Sequence, residues 1–381
     1  MTDSRRPNEF GEGDLRRTSS SSATGDEPGL SDIAAVSVEG LIDAVETAGA
    51  RPERRYRWAL PLRIAVSFLM LGVLWWRFPE INWATLIPQW NRDTVLWLLA
   101  ATAMTFVGIA LSAVRWNAVL RSLGLRERLG LLVQLYFAGQ FVSNVLPTTI
   151  GGDVLRVSRL SRTNGQPEST FASVALERLT GWLVLPLITF FGLLINPGLR
   201  QLGRATLLAL AVASITLVAL VVVLLAANHP RLGGRFASTE GWRRFVDAIH
   251  RGVTELRQQP LAALVILTAG LVYQVALCLA ALMVAAALGF SWLGLTALLA
   301  FYPAVLILQV LPIGIAGLGV RESAFVLFLV PLGVPAEKAV ALGLVLYAIN
   351  VVASLFGAPS FAVGGRHSPR TIAAPGAADR P

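Results

Sequence analysis

The chain has 381 residues, of which 55% are hydrophobic and only 14% charged, with a mean hydropathy of +0.63 and a formal net charge of +9. Soluble domains carry about a quarter of charged residues, so this composition indicates an integral membrane protein. The basic residues lie in short segments between apolar stretches, which is the positive-inside pattern of membrane proteins and does not indicate a nucleic-acid partner. Cys278 is the one cysteine and the histidines are scattered, so the sequence predicts no disulfide framework, no metal site and no cofactor.

The N-terminal segment 1–56 is rich in Ser, Gly, Asp and Glu and poor in aromatic residues. Such a segment cannot bury enough apolar surface to fold, so we expect a disordered tail. Arg54, Arg55 and Arg57 lie just before the first apolar stretch and place this tail in the cytoplasm. We expect the transmembrane domain at 57–360 and a second disordered cytoplasmic tail at 361–381.

Apolar stretches follow one another from about residue 58 onward. A helix needs about 20 apolar residues to cross the hydrocarbon core of a bilayer. No charged residue occurs from Gln258 to Val320, so this run alone holds two crossings and a turn. The pattern predicts an all-α, polytopic membrane bundle with about eight transmembrane helices, and seven or nine crossings fit it as well. Their approximate positions are 58–78, 94–114, 176–196, 205–227, 261–288, 292–311, 318–332 and 337–358.

The stretch 129–145 differs from these crossings. Arginines precede it within 115–128 and follow it within 156–162, and both groups are expected in the cytoplasm. A full crossing would place the second group outside, against the positive-inside rule. We therefore predict a broken or re-entrant helix here, and a cytoplasmic loop that contains Arg115.

The segment 228–260 is the longest polar connection and is predicted to be a cytoplasmic loop. Between Trp242 and Leu256, apolar residues recur at helical spacing while the arginines take other positions. This pattern is typical of an amphipathic helix on the membrane surface. An ordinary connector packed between two crossings fits the same pattern.

An internal repeat relates two segments of the chain. Val145-Leu146-Pro147 recurs as Val310-Leu311-Pro312, and at the same offset Gly152 matches Gly317 and Arg156 matches Arg321. Proline ends a helix and glycine permits bends, so each copy predicts a helix break inside the membrane region. The predicted break residues are Pro147, Gly151, Gly152, Pro312, Gly314, Gly317 and Gly319.

The repeat also carries charges that could bind an anion. A helix that begins at such a break presents free N–H donors and a positive dipole end, and Arg156 and Arg321 add bidentate donors suited to phosphate or carboxylate. Paired breaks of this kind mark the central sites of transporters. Alternatively, the Pro-Gly bends only kink helices and the arginines extend to the interface. The candidate substrate-binding residues are Arg156, Arg321, Asp153, Glu322, Glu177, Arg178 and Asn144.

Glu177 and Arg178 form a charged pair at the start of an apolar stretch. Glu177 could balance an arginine of the repeat or carry a proton, because charges inside a membrane usually face paired partners. Equally, the pair could lie at the water interface and begin the helix. Asn144 is expected to bond backbone groups freed by Pro147 rather than a ligand.

With these residues in hand, the chain resembles the transmembrane domain of lysylphosphatidylglycerol synthases, which also occurs as a free-standing membrane protein. The resemblance covers roughly residues 60–360. It rests on three motifs in order: N-x-x-P-x-x-x-G-G-D-x-x-R at Asn144–Arg156, E-R-L at Glu177–Leu179, and P-x-G-x-x-G-L-G-x-R-E at Pro312–Glu322.

The resemblance implies a flippase-like lipid transporter in the cell membrane. Three features depart from the family pattern. No synthase domain follows residue 365, so aminoacyl transfer is not expected. Thr180 and Gly181 stand where a carboxylate often follows the E-R-L motif, and Ala316 replaces a glycine of the second bend.

Three functions follow from the sequence as hypotheses. The first is a lipid flippase or scramblase whose partners are membrane lipids: an anionic or aminoacylated phospholipid, or a lipid-linked sugar. The second is a membrane-embedded transferase that would use Asp153, Glu177 or Glu322 as its acid or base. The third is a scaffold for a separate lipid-modifying enzyme.

Overall fold

The computed structural model describes residues 72, 90–145, 151–228, 250, 252–311 and 317–363, and within these ranges every regular element is a helix. The α-helices are α1 (Arg92–Ser122), α2 (Leu129–Val145), α3 (Gly151–Asn164), α4 (Pro167–Ile195), α5 (Arg204–Asn228), α6 (Pro260–Ala287), α7 (Gly294–Val310), α8 (Val320–Leu329), α9 (Ala336–Leu355) and α10 (Gly357–Val363). Short 3-10 helices lie at Pro197–Gln201, Ser291–Leu293 and Val330–Leu332.

Six helical stretches in the described ranges are long and apolar enough to cross a membrane. They are α1, α4, Arg204–Val223 of α5, α6, Ser291–Val310, which includes α7, and α9. These stretches confirm the predicted all-α, polytopic membrane bundle. The crossing predicted at 58–78 lies outside the described residues.

The crossing predicted at 318–332 is wrong. This part of the chain contains α8, which has only 10 residues. At 1.5 Å per residue such a helix is about 15 Å long, half of what a crossing needs. Gly319 immediately before it and a 3-10 turn at Val330–Leu332 interrupt the apolar stretch and keep the helix short.

Apolar side chains cover the outside of the bundle. Leu207, Ile215 and Val218 of α5 are all more than three-fifths exposed, and Leu261 of α6 is more exposed still. In water, such an exposed apolar surface would make copies of the protein associate, whereas in a bilayer it contacts the lipid tails.

Helix α7 lies at the centre of the main hydrophobic core. It packs against α4, and its residues Phe301 and Ala304 are fully buried. At the closest approach, a Cβ added to Gly192 of α4 would lie 2.5 Å from the backbone nitrogen of Ala300. Glycine is therefore required for this crossing of two backbones.

Two helix–break–helix units occupy equivalent places in the repeat. α2 ends at Val145 and α7 ends at Val310, and α3 and α8 begin a few residues later. The predicted break residues Pro147, Pro312 and Gly314 lie outside the described residues. Gly317 and Gly319 have positive φ angles of 74° and 83°, which glycine adopts without strain.

Unlike Gly317 and Gly319, the two glycines predicted at the first break lie within a helix. Gly151 and Gly152 are the first two residues of α3 and are helical. Since α3 turns back along α2, a Cβ on Gly152 would lie 2.3 Å from both the carbonyl oxygen of Gly139 and the hydroxyl of Ser143. Gly152 thus permits close helix packing and does not itself form the bend.

Part of the predicted 228–260 loop is described. A helical turn at 252–258 precedes α6, and its Val253 and Leu256 pack against a buried cluster of Val119, Leu176 and Ile266. This end of the segment is a connector packed on the bundle. The stretch from Trp242 to Ile249 lies outside the described residues.

Candidate functional site

Glu177 is the centre of a buried ion-pair network. It lies on α4, is 1% exposed, and has one arginine on each carboxylate oxygen. Arg115 Nη2 donates to Oε1 at 2.8 Å and Arg156 Nη1 donates to Oε2 at 2.9 Å. The hydroxyl of Tyr136 also donates to Oε1. Of the two positions that the sequence left open for Glu177, the structure places it inside the bundle beside an arginine of the repeat.

The network continues through Asp153 of α3. Asp153 accepts a hydrogen bond from Arg156 at 2.5 Å, one helical turn away. It also accepts from Nε and Nη2 of Arg178, at 2.8 and 3.0 Å. Arg178 is half-exposed, so it forms the outer end of a chain that runs Arg115–Glu177–Arg156–Asp153–Arg178.

Arg156 is enclosed on all sides. Its guanidinium carbon lies 4.3 Å from the ring centre of Tyr136 and 4.9 Å from that of Trp116. Trp116 is fully buried and donates its Nε1–H to the hydroxyl of Ser173 at 2.9 Å. With two carboxylates and two rings around it, Arg156 fixes the acids in place.

Arg115 was predicted in a cytoplasmic loop, and that prediction is wrong. α1 continues to Ser122, and Arg115 is buried within it. Trp116, Val119 and Leu120 keep the helical spacing of apolar residues beyond the predicted end of the crossing, and this signal could have extended the helix.

Two glycines leave room for the Arg115 side chain. A Cβ on Gly181 of α4 would lie 3.3 Å from Arg115 Nη1, and one on Gly270 of α6 would lie 3.6 Å from its Cδ. Gly181 is one of the two residues that stand where a carboxylate often follows the E-R-L motif in the family. In this protein Gly181 lies against the guanidinium of Arg115.

The second copy of the repeat holds its own ion pair. Nε and Nη2 of Arg321 donate to Oε1 of Glu322 at 3.1 and 2.9 Å, and both side chains are buried. The other oxygen of Glu322 accepts from the backbone N–H of Gly319 at 2.6 Å and caps the start of α8. The guanidinium of Arg321 lies 5.0 Å from the ring centre of Tyr347 on α9.

Both copies of the repeat line one central cavity of about 350 Å³. Its walls come from α1, α2, α3, α4, α6, α7, α8 and α9. Four arginines line it, namely Arg115, Arg156, Arg178 and Arg321, together with the carboxylates of Asp153 and Glu177. Glu322 is not among the lining residues, because it lies behind Arg321 and against Gly343.

Three buried nitrogen atoms of lining residues have no hydrogen-bond partner in the described part of the chain. They are Arg115 Nε, Asn144 Nδ2 and Gln274 Nε2. An unsatisfied buried polar atom costs about 1–3 kcal/mol, so such atoms mark places where a ligand or water can bind. Gln274, on α6, was not singled out in the sequence because a lone glutamine in an apolar helix gives no motif. Among the described residues no group of three or more His, Cys, Asp or Glu is placed to hold a metal ion.

A bundle of membrane-crossing helices with two interrupted helices around an arginine-lined cavity defines a polytopic integral membrane protein with an internal polar site. Residues 60–357 match the lysylphosphatidylglycerol synthase TM region, so the chain belongs to this family, as the three motifs predicted.

Among curated proteins, the chain is similar to the UPF0104 membrane protein PH1989 of Pyrococcus horikoshii. The two are 27% identical over 158 residues, which cover 41% of this chain and 45% of the relative. The match therefore spans less than half of the relative's length. No solved structure matches the chain.

Proposed function

We propose that this protein is a lipid transporter that moves the head group of a phospholipid, or of another lipid-linked substrate, between the two leaflets of the membrane. The observation that carries the proposal is that Arg156 and Arg321, one from each copy of the repeat, line the same cavity. In many transporters, a pair of broken helices from the two repeats likewise forms one substrate site near the middle of the membrane.

The charge balance of the cavity favours an anionic group. Its four arginines face two lining carboxylates, and Glu322 behind Arg321 adds a third. Each arginine has an acidic partner, but four positive and three negative charges leave these groups with a net charge of +1. Such a net charge attracts an anion, so a phosphate in the cavity would be stabilised.

The size of the cavity fits a head group better than a whole lipid. A volume of about 350 Å³ is at the lower end of small-molecule sites. Two acyl chains would not fit beside the head group. In this proposal the tails remain in the bilayer while the polar group passes through the cavity.

The transferase hypothesis has less support. Glu177 and Asp153 each bind two arginines, and Glu322 binds Arg321 and a backbone N–H. A carboxylate engaged in this way has little capacity left to take a proton from a substrate.

We also propose that the transporter resides in the plasma membrane with both termini in the cytoplasm, where a separate lipid-modifying enzyme could supply its substrate.

Leaflet exchange in proteoliposomes tests the function. The purified protein is reconstituted with phosphatidylglycerol that carries a fluorophore on one acyl chain, and a membrane-impermeant quencher reports the outer leaflet. We expect faster exchange than in empty liposomes. Exchange at the rate of empty liposomes, for every phospholipid and lipid-linked sugar supplied, would refute the proposal.

A matched pair of variants tests the site. Arg321→Gln removes a lining charge, and Arg204→Gln removes an exposed one at the start of α5. A charge-assisted hydrogen bond contributes about 1.5–3 kcal/mol, so Arg321→Gln should slow exchange about tenfold or more. Arg204→Gln should exchange at the wild-type rate. Equal rates in both variants would remove Arg321 from the site.

A further inference from the structure

A second cavity lies between the end of α4 and the start of α5, and we call it the α4–α5 groove. Its volume is about 480 Å³, and its lining shares no residue with that of the central cavity. We propose that this groove binds an acyl chain of an anionic phospholipid, whose phosphate is bound by Arg200. The groove is a lipid site separate from the central cavity, and the inference does not depend on transport.

The walls of the groove are apolar and open toward the bilayer. Phe190, Leu193 and Leu194 come from α4, and Leu207 and Leu210 come from α5. Leu194 and Leu207 are 65% and 66% exposed, so this side of the bundle faces the lipid tails. A groove with such walls, at such a position, suits an acyl chain and no polar ligand.

Arg200 is the one charged residue among the described residues that line the groove. It lies in the 3-10 turn Pro197–Gln201, at the end of α4, where the chain leaves the apolar stretch. Its Nε donates to the carbonyl oxygen of Leu193 at 2.9 Å, and its Nη2 donates to that of Leu194 at 3.2 Å. Nη1 carries two further N–H donors, and these have no acceptor in the described part of the chain. If Arg200 served only to cap α4, this nitrogen would have no use.

The turn that carries Arg200 is fixed on both sides. The hydroxyl of Thr206 on α5 donates to the carbonyl oxygen of Leu199, and Nδ2 of Asn196 donates to the hydroxyl of Thr296 on α7 at 3.2 Å. An arginine that is already held in place loses little conformational entropy when a ligand binds. Arg200 thus presents a preorganised guanidinium, whose planar N–H donors match the oxygens of a phosphate.

The charge around the turn favours an anion. Residues 196–204 contain Arg200 and Arg204 and no acidic residue, and Arg200 forms no ion pair with a described acid. In the proposed orientation this connection lies on the side opposite the cytoplasm, where arginines are disfavoured unless they have a role. A zwitterionic lipid also has a phosphate, but its ammonium offsets the charge. The groove is therefore expected to prefer lipids with a net negative head group.

Hydrogen exchange of the whole protein in detergent locates the binding. The probes are phosphatidylglycerol and phosphatidylcholine with the same acyl chains, each titrated while the exchange of the backbone amides at 196–204 is followed. We expect phosphatidylglycerol to slow this exchange at a concentration about tenfold lower than phosphatidylcholine, as one additional charge-assisted contact implies. Equal effects of the two lipids, or none, would overturn the proposal.

Glycerol phosphate distinguishes a lipid from a free phosphate. It carries the anionic group without an acyl chain, so it should leave the exchange at 196–204 unchanged. If it slows this exchange as strongly as phosphatidylglycerol, the occupant is a free phosphate and the lipid assignment is wrong.

Two arginines of the same connection form a matched pair for the polar end. Arg200→Gln removes the lining charge, and Arg204→Gln removes an exposed charge outside the lining. The concentration of phosphatidylglycerol needed for half-maximal slowing should rise about tenfold in Arg200→Gln and stay close to wild type in Arg204→Gln. An equal rise in both variants would mean that the lipid responds only to general charge.

Two exposed leucines form a matched pair for the apolar walls. Leu207→Trp fills the groove from the lipid-facing side, and Leu264→Trp places the same ring on α6, outside the groove. Only Leu207→Trp should abolish the effect of phosphatidylglycerol at 196–204. An unchanged effect in Leu207→Trp would overturn the groove as the acyl-chain site. This pair also decides the question if Arg200→Gln does not fold.

The groove and the transport function can fail separately. Slowed exchange at 196–204 with phosphatidylglycerol, without movement of lipid between leaflets, would support the groove and refute transport. Movement of lipid without slowed exchange at 196–204 would refute the groove and leave transport standing.

Discussion

Arg156 and Glu177 meet inside the bundle, with Nη1 of the arginine 2.9 Å from Oε2 of the acid and both side chains at most 3% exposed. One comes from the short helix α3 and the other from the membrane-crossing helix α4. Their contact joins the first interrupted unit to the rest of the bundle. It also leaves Oε2 of an acid that lines the cavity paired with an arginine of the repeat.

Replacing Glu177 with Gln should strongly destabilise the protein. The change leaves Arg115 and Arg156 facing each other across a neutral amide, and breaking a buried pair in this way costs about 3–5 kcal/mol. Thermal unfolding in detergent measures the loss. Glu255→Gln, at an exposed site, is the control and should unfold like the wild type.

Because Arg115 and Glu177 act as a pair, removing both should cost less than the sum of the single changes. The variants Glu177→Gln, Arg115→Met and their combination form the cycle. Additive effects would contradict the buried ion pair.

Gly152→Ala should disrupt the packing of α3 on α2. The new Cβ would lie 2.3 Å from the carbonyl oxygen of Gly139, closer than real Cβ atoms come to another atom. We expect a clear drop in folded yield and in unfolding temperature. Gly130→Ala, on the same helix pair, has nothing within 4 Å of its Cβ and should be neutral or slightly stabilising, by up to about 1 kcal/mol. Equal behaviour of the two variants would mean that the helices are farther apart.

Arg159→Gln should loosen the C-terminal helix α10. Arg159 donates to the carbonyl oxygens of Ser360 at 2.8 Å and Phe361 at 2.6 Å, and its guanidinium lies 5.2 Å from the Phe361 ring. Hydrogen exchange of the α10 amides should become faster in the variant. Arg162→Gln, which removes an exposed arginine of α3, should leave that exchange unchanged.

Gly319→Ala should impair lipid binding more than it impairs stability. Gly319 has a φ of 83° and donates its N–H to Glu322, so a side chain there strains the backbone that sets the Arg321–Glu322 pair. Such strain costs about 1–3 kcal/mol. Gly333 has a φ of 92°, outside the cavity lining, so Gly333→Ala carries similar strain without touching the site. Only Gly319→Ala should weaken binding of phosphatidylglycerol; weakening in both would point to a general loss of stability.

The membrane class and the positions of most crossings could be predicted because hydrophobicity is a local property of the chain. The run without charges from Gln258 to Val320 contains α6 and α7, as expected. The crossing predicted at 318–332 was wrong because this segment is apolar throughout, although its helix has only 10 residues. Hydropathy measures how apolar a stretch is, and it does not show where glycines interrupt the helix.

By itself, the sequence determined that the protein is a polytopic helical membrane protein, that it contains a repeat with an arginine beside an acid in each copy, and to which family it belongs. Only the tertiary structure decided which charges pair. Arg115 and Glu177 are 62 residues apart, and their contact depends on how α1 packs against α4. A helix of any sequence can present an arginine, but the low dielectric constant of the interior makes that arginine stable only where a folded neighbour supplies its counter-charge. That neighbour, and the set of arginines that lines the cavity, are determined by how the helices pack.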